Sequence, residues 1–142
     1  MSTTRTAKTH WEGTLFEGAG QVTLESSGLG TYDVTWAARA EAPDGKTSPE
    51  ELIAAAWASC FAMALSHGLA QGGNAPEKLE TSATVTFQPG EGIIKGALTV
   101  VGTVAGVDED AFKAAADDAK ANCPVSKALA GIPDVSLEAS LA

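Results

Sequence analysis

Apolar and polar residues alternate along much of this chain, and a period of two predicts β-strands. Three such segments precede residue 40, two lie between residues 79 and 104, and one ends the chain. They cover Lys8–Phe16, Gln21–Ser26, a third strand from Tyr32 that carries Arg39, Leu79–Gln88, Ile93–Val104 and Val135–Leu141. Short turns rich in Gly and Pro separate most of them, which favours antiparallel pairing.

The stretch Thr47–Leu69 breaks this alternation and predicts a long helix. Ser48 is a suitable N-cap, Pro49 suits the first helical position, and Glu51 completes a capping box. Its middle, Leu52–Ser66, carries no charge, and apolar or small residues occupy every face. A helix of this composition is expected to be buried all round, with Cys60 deep inside it.

Two further helices are predicted before the last strand. Asp108 is the expected N-cap of the first of them. Asn122, Cys123 and Pro124 interrupt this helix, because a residue before proline is pushed out of the α region, and Pro124 then opens a short helix through Ala130. The order of elements predicts one α+β domain over residues 1–142, with six strands in one or more mainly antiparallel sheets.

The size of the long helix raises a packing problem. Six strands from a chain of 142 residues can hardly wrap every face of a helix about 30 Å long. A second copy of the chain could cover the remaining faces. The sequence therefore predicts a homodimer with an extensive apolar interface.

Composition narrows the classes of function. A formal net charge of −9 without any cluster of Lys or Arg argues against nucleic-acid binding. The Ala, Ser, Gly and His content of the apolar run makes it too weakly hydrophobic to favour a membrane span. The first residues lack the apolar core of a secretory signal, and we therefore expect a cytoplasmic protein that has no membrane partner.

The two cysteines are the first candidates for chemistry. Cys60 and Cys123 are either two buried small hydrophobes or a working redox pair. For Cys60 the structural interpretation is favoured by its apolar helix, where burial opposes the thiolate. Cys123 precedes a proline-opened helix, where free backbone N–H groups lower a thiol pKa, and the pattern makes it the easier thiolate.

A lone cation supplies a third candidate. Arg39 lies in a mostly apolar segment and needs a carboxylate partner if it is buried. Glu50 is the freer choice, since Glu51 belongs to the capping box. Glu50 comes ten residues before Cys60, about 15 Å along one helix, so direct contact within that helix is excluded. His10 and His67 have no third ligand at metal spacing, and a zinc site is not expected.

Two motifs, TSPEELIAAAWASCFAMAL and the later NCPVSKAL, resemble those of the osmotically inducible protein C (OsmC) family, relatives of the organic hydroperoxide resistance (Ohr) proteins. The resemblance covers nearly the whole chain. It implies a peroxiredoxin-type thiol peroxidase that reduces organic hydroperoxides and, less well, hydrogen peroxide, without a metal or flavin cofactor. It also implies that Cys60 is the peroxidatic and Cys123 the resolving cysteine, which reverses the preference drawn from pattern alone.

The same resemblance implies roles for the other candidates. Arg39 and Glu50 match the residues that support the thiolate, and the sheets are expected to wrap a central buried helix in an intertwined homodimer. An external dithiol, with a lipoyl-type compound as one candidate, would recycle the disulfide. One departure is Trp57, where His or Tyr is more usual. The alternative is a redox sensor or small-ligand carrier of the same fold without efficient peroxidase turnover, and a carrier would need only an apolar pocket.

Overall fold

The computed structural model describes residues 1–142 and contains six strands and four helices. The strands are β1 (Lys8–Glu12), β2 (Ala19–Thr23), β3 (Thr31–Val34), β4 (Lys78–Gln88), β5 (Gly92–Thr103) and β6 (Asp134–Leu141). The helices are α1 (Trp36–Ala40), α2 (Pro49–Gln71), α3 (Glu109–Asn122) and α4 (Pro124–Ala128). The predicted α+β class and order of strands are confirmed, and α1 is an element that the sequence pattern did not predict.

The first of two compact units covers Met1–Leu52. Its sheet is an antiparallel meander in the order β1-β2-β3, with Lys8 opposite Thr23 and Gly20 opposite Val34. This arrangement confirms the predicted meander. The strands are short, since β3 has four residues.

The prediction that the third strand continues through Arg39 is wrong. The extended backbone stops at Val34, and Arg39 lies in helix α1 instead. The Oγ1 of Thr35 accepts a hydrogen bond from the N–H of Ala38 at 3.1 Å, which caps the new helix. The alanines around Arg39 have high helix propensity, and with the Thr35 cap they outweigh the alternation that favoured a strand.

The second unit covers Ile53–Ala142 and holds the other sheet, in the order β4-β5-β6. Strands β4 and β5 form an antiparallel hairpin, whereas β5 and β6 run parallel. Helices α3 and α4 lie between these two strands in the sequence and provide the crossover that a parallel pair requires. The prediction of mainly antiparallel sheets is confirmed, with one parallel pair.

Helix α2 buries one stripe of side chains within the second unit. Trp57, Phe61, Leu65 and Leu69 recur every four residues and join a core with strand β5 and helix α3. The opposite side is exposed, and Met63 there is 71% accessible. Burial on every face is therefore not reached within a single chain.

Two further observations concern the same helix. Its length and hydropathy would allow it to cross a membrane, a test that the core helix of a soluble protein also passes. At its start, the N–H of Glu51 donates to Ser48 Oγ at 3.2 Å, as the capping box predicts. The carboxylate of Glu51 accepts from the hydroxyl of Thr47 at 2.6 Å, so it is Thr47 that holds the Glu51 side chain.

Candidate active site

An ion pair between Arg39 and Glu50 lies in the first unit. Arg39 Nε lies 3.0 and 3.2 Å from the two carboxylate oxygens of Glu50, and Arg39 Nη2 lies 2.8 Å from Oε1. Glu50 is 6% exposed, while its partner is partly accessible. The expected pairing is confirmed, and the fork-like contact fixes the orientation of the guanidinium.

Local structure explains how these two side chains meet. Arg39 lies near the end of α1, and Glu50 is the second residue of α2. Between the helices the chain turns at Asp44 and Gly45, both with positive φ, and the N–H of Lys46 donates to Pro43 O at 2.9 Å. This tight connection returns the chain to α1 within a few residues.

An apolar cavity of about 360 Å³ lies beside Arg39 in the same unit. Aromatic and aliphatic side chains dominate its wall, and Arg39 is the charged residue among them. The lining residues are Thr9, Trp11, Leu15, Val22, Val34, Thr35, Trp36, Arg39, Pro49 and Leu52. Such a cavity suits an apolar ligand with one polar group that can meet the guanidinium.

The two cysteines meet in the second unit. Cys60 lies in the middle of α2, Cys123 lies between α3 and α4, and their Sγ atoms are 3.1 Å apart. Both are free thiols. Cys60 is partly accessible, whereas Cys123 is fully buried. Two residues 63 positions apart are thus brought into contact, which favours the working pair over two separate core residues.

Cys123 occupies a position set by the proline that follows it. Its backbone is extended, which ends α3, while its N–H still donates to Ala119 O at 2.9 Å. Its Sγ accepts a hydrogen bond from the N–H of Ser126 at 3.4 Å, so Cys123 caps α4. The prediction that Cys123 meets backbone N–H groups at a proline-opened helix is confirmed, although α4 ends at Ala128 instead of Ala130.

The surroundings move the two thiol pKa values in opposite directions. Burial is the largest cause and raises the pKa of Cys60, the N–H of Val125 lowers it by a smaller amount, and the hydrogen bond and charge of the adjacent Cys123 raise it further. Burial opposes ionisation of Cys123 too, but hydrogen bonds from the N–H of Ser126, the thiol of Cys60 and the hydroxyl of Ser126 outweigh it and lower the pKa of Cys123. The two thiols titrate as an interacting pair, and their surroundings favour the thiolate on Cys123 and the proton on Cys60.

A hydrogen bond beside this pair was not predicted from the sequence. The indole Nε1 of Trp57 donates to Ser126 Oγ at 2.7 Å. Trp57 precedes Cys60 by one helical turn and is 1% exposed. The sequence singled out Trp57 as a departure from the family pattern. It did not predict the partner, because Ser126 is 69 positions away and the spacing of nearby residues says nothing about such a distant contact.

The structure thus places the four predicted site residues in two pairs. Arg39 contacts Glu50 in one unit, and Cys60 contacts Cys123 in the other. The histidines stay outside both pairs: His10 is exposed beside Glu12, and His67 is exposed on α2.

The site thus lies in an α+β fold with two three-stranded sheets and a long helix, and it contains a contact between two free thiols. The chain belongs to the OsmC-like protein family, whose model matches residues 42–138. It is 39% identical over 132 residues to peroxiredoxin OsmC of Escherichia coli, covering 91% of this chain and 92% of the relative. It is 31% identical over 121 residues to the organic hydroperoxide resistance protein OhrB of Bacillus subtilis, covering 84% and 88%.

Solved structures of proteins with the same family names are also similar to this chain. The crystal structure of an organic hydroperoxide resistance protein OsmC of Legionella pneumophila is similar with a TM-score of 0.74 and 28% identity over 97% of both chains. The OhrB structure of Bacillus subtilis gives a TM-score of 0.64 and 27% identity over 96% of this chain and 98% of the other. The predicted OsmC/Ohr family and fold are confirmed, and the names of the relatives support a peroxidase or redox role. The apolar α2 is accordingly the core helix of a soluble fold.

Proposed function

We propose that this protein is a thiol-dependent peroxidase that reduces organic hydroperoxides and, less efficiently, hydrogen peroxide. The observation that carries the proposal is the 3.1 Å contact between a partly accessible thiol, Cys60, and a buried one, Cys123. The partly accessible Cys60 is assigned the reaction with the peroxide, and Cys123 is assigned the resolution of the oxidised product.

In the first step Cys60 attacks the terminal oxygen of the hydroperoxide. Cys60 gives up its proton to water, the new S–O bond forms as the O–O bond breaks, and two electrons pass from sulfur to the peroxide. The departing alkoxide takes a proton from water and leaves as an alcohol. Cys60 is then a sulfenic acid, and Cys123 is still a thiolate.

In the second step the Cys123 thiolate attacks the sulfur of the Cys60 sulfenic acid. Hydroxide leaves and is protonated to water, and the two cysteines form a disulfide after an approach of about 1 Å from their contact distance. An external dithiol then reduces this disulfide by thiol exchange, becomes a disulfide itself and restores both thiols. A dithiol of the lipoyl type is the proposed reductant, and no metal or flavin takes part.

The resemblance assigns Arg39 and Glu50 to the same chemistry. An Arg39 side chain held by the buried Glu50 is suited to stabilise negative charge on a peroxide oxygen. The apolar cavity beside Arg39 supports a substrate with a hydrocarbon group in preference to hydrogen peroxide alone.

We also propose that the working form is a homodimer. The exposed side of α2 in the second unit carries Met63 among small residues, including Ala55, Ala56 and Ser59, with no charge to keep two helices apart. Light scattering on the purified protein should give twice the chain mass of 14.4 kDa.

The chemistry is tested by following consumption of cumene hydroperoxide with a dithiol reductant in wild type, Cys60→Ser and Cys123→Ser. Wild type should turn over many times and Cys60→Ser not at all. Cys123→Ser should consume one equivalent and stop at an oxidised Cys60, without an intramolecular disulfide. Full activity of Cys60→Ser would sink the proposal, and stoichiometric oxidation of wild type without turnover would favour the sensor.

A further inference from the structure

The hydrogen bond from Trp57 to Ser126 joins α2 to α4 directly beside the thiol pair. Trp57 lies one turn before Cys60 on α2, and Ser126 lies in the first turn of α4, which Cys123 caps. Ser126 is therefore the residue through which the indole can influence the buried thiol.

The direction of this hydrogen bond is fixed by chemistry. An indole N–H can only donate, so Ser126 Oγ must accept from Trp57. The hydroxyl hydrogen of Ser126 then remains available to a sulfur acceptor, and this hydroxyl is among the groups that lower the pKa of Cys123. The backbone N–H of the same serine donates to Cys123 Sγ at 3.4 Å, so Ser126 serves the thiol twice.

The indole itself is held in place by the sheet. Gly96 on β5 faces the Trp57 ring so closely that a Cβ there would lie 2.5 Å from its Cζ3 atom. With an exposure of 1%, the ring has no room to turn its N–H away from Ser126. Gly96 is needed at this position because of the close approach of the ring.

We propose that Trp57 is a positioning residue for the resolving step, which acts through Ser126 to hold Cys123 ready to attack the Cys60 sulfenic acid. This inference rests on the proposed peroxidase function. It assigns the indole N–H to disulfide formation and not to the oxidation of Cys60.

The test separates the two steps in wild type, Trp57→Phe, Ser126→Ala and the double variant. Each protein receives one equivalent of cumene hydroperoxide, sulfenic acid is trapped with dimedone, and the disulfide is followed by mass spectrometry over pH. Trp57→Phe keeps a ring but loses the donor. We expect disulfide formation to slow by up to about tenfold, as for loss of one neutral hydrogen bond, with its pH midpoint raised, while sulfenic acid forms at the wild-type rate.

The double variant shows whether Trp57 acts through Ser126. We expect it to be no slower than Ser126→Ala alone, because the indole then has no serine to orient. Ser82→Ala, which removes a hydroxyl from the exposed Ser82–Thr99 pair, is the matched control and should leave both steps unchanged. Additive effects in the double variant, equal slowing of both steps, or wild-type disulfide formation in Trp57→Phe would overturn the proposal.

A second measurement does not depend on turnover. Ultraviolet absorbance of the thiolate, titrated against pH in the same variants, should show a higher pKa of Cys123 in Trp57→Phe and Ser126→Ala than in wild type. An unchanged pKa would overturn the positioning role even if the protein is an active peroxidase. Failure of wild type to oxidise Cys60 with hydroperoxide would instead reject the proposed function.

Discussion

The two compact units of this chain differ in what they bury: the second buries a large apolar cluster, whereas the first buries few apolar side chains and one charged group. Residues 53–142 bury ten residues in one cluster. The cluster includes Phe112 and the stripe of side chains on α2 that runs from Trp57 to Leu69. Residues 1–52 bury Val22 and Ala38 as their apolar core, together with the carboxylate of Glu50. Several large apolar side chains of this unit remain exposed: Trp11, Leu15, Phe16, Leu29 and Tyr32.

This difference in apolar burial indicates that the two units are stabilised to different extents. The second unit has a packed interior that can fix two sulfurs in contact. The first unit has little apolar burial to stabilise it, yet it orders a buried charge pair, which costs free energy unless the pair is well hydrogen-bonded. Its exposed apolar surface agrees with the proposed homodimer, in which a second copy would cover what one chain leaves open.

The largest expected effect concerns the core of the second unit. Phe112→Ala should lower the free energy of unfolding by about 4 kcal/mol, because a fully buried aromatic ring is replaced by a cavity. Val22→Ala, in the thinner core of the first unit, should cost about 1 to 2 kcal/mol. Urea unfolding at a fixed protein concentration measures both. Equal costs for the two variants would contradict the contrast between the units.

A second prediction asks whether the first unit contributes to the chemistry. Arg39→Ala should lower kcat/KM for cumene hydroperoxide about 100-fold, because it removes a preorganised cation. Glu50→Gln should cost about tenfold, since the guanidinium loses its charged partner but keeps one acceptor. Lys46→Ala is the matched control for removal of a nearby positive charge. Wild-type activity in Arg39→Ala would remove the first unit from the mechanism.

The smallest expected effect concerns the reactivity of Cys60 when Cys123 is removed. Cys123 raises the pKa of Cys60 through its hydrogen bond and charge, so Cys123→Ala should lower that pKa towards its ordinary range. With more thiolate present at neutral pH, Cys60 should react severalfold faster with iodoacetamide, and the midpoint of its pH profile should move to lower pH. Slower alkylation would contradict the assignment of the shared proton to Cys60.

Much of this arrangement was predictable from particular residues. Ser48, Asp108 and Pro124 fixed where three helices begin, because caps and proline act over one turn. The alternation over β4, β5 and β6 identified those strands. The helix at Arg39 was missed, since the short segment Trp36–Ala40 satisfies a strand pattern as well as a helical one until the Thr35 cap is seen.

Some contacts of the candidate site were also predictable from the sequence, and others were not. The pairing of Arg39 with Glu50 was expected because a buried guanidinium needs a carboxylate partner and Glu51 belongs to the capping box. The hydrogen bond from Trp57 to Ser126 had no counterpart in the sequence pattern, because hydrogen bonds between distant side chains leave no periodicity. The resemblance to the OsmC family implied that both cysteines take part in the chemistry, whereas the residues alone left open whether the two thiols are in contact.

The sequence by itself determined the helix starts, most strands, the family and the candidates for chemistry, because these depend on local propensity and on motifs. Tertiary structure decided what required distant atoms to come together. It brought the two sulfurs to 3.1 Å, left Cys60 accessible while burying Cys123, and seated the Trp57 ring against Gly96. These features arise from packing between elements far apart in the chain, where local sequence exerts no direct constraint.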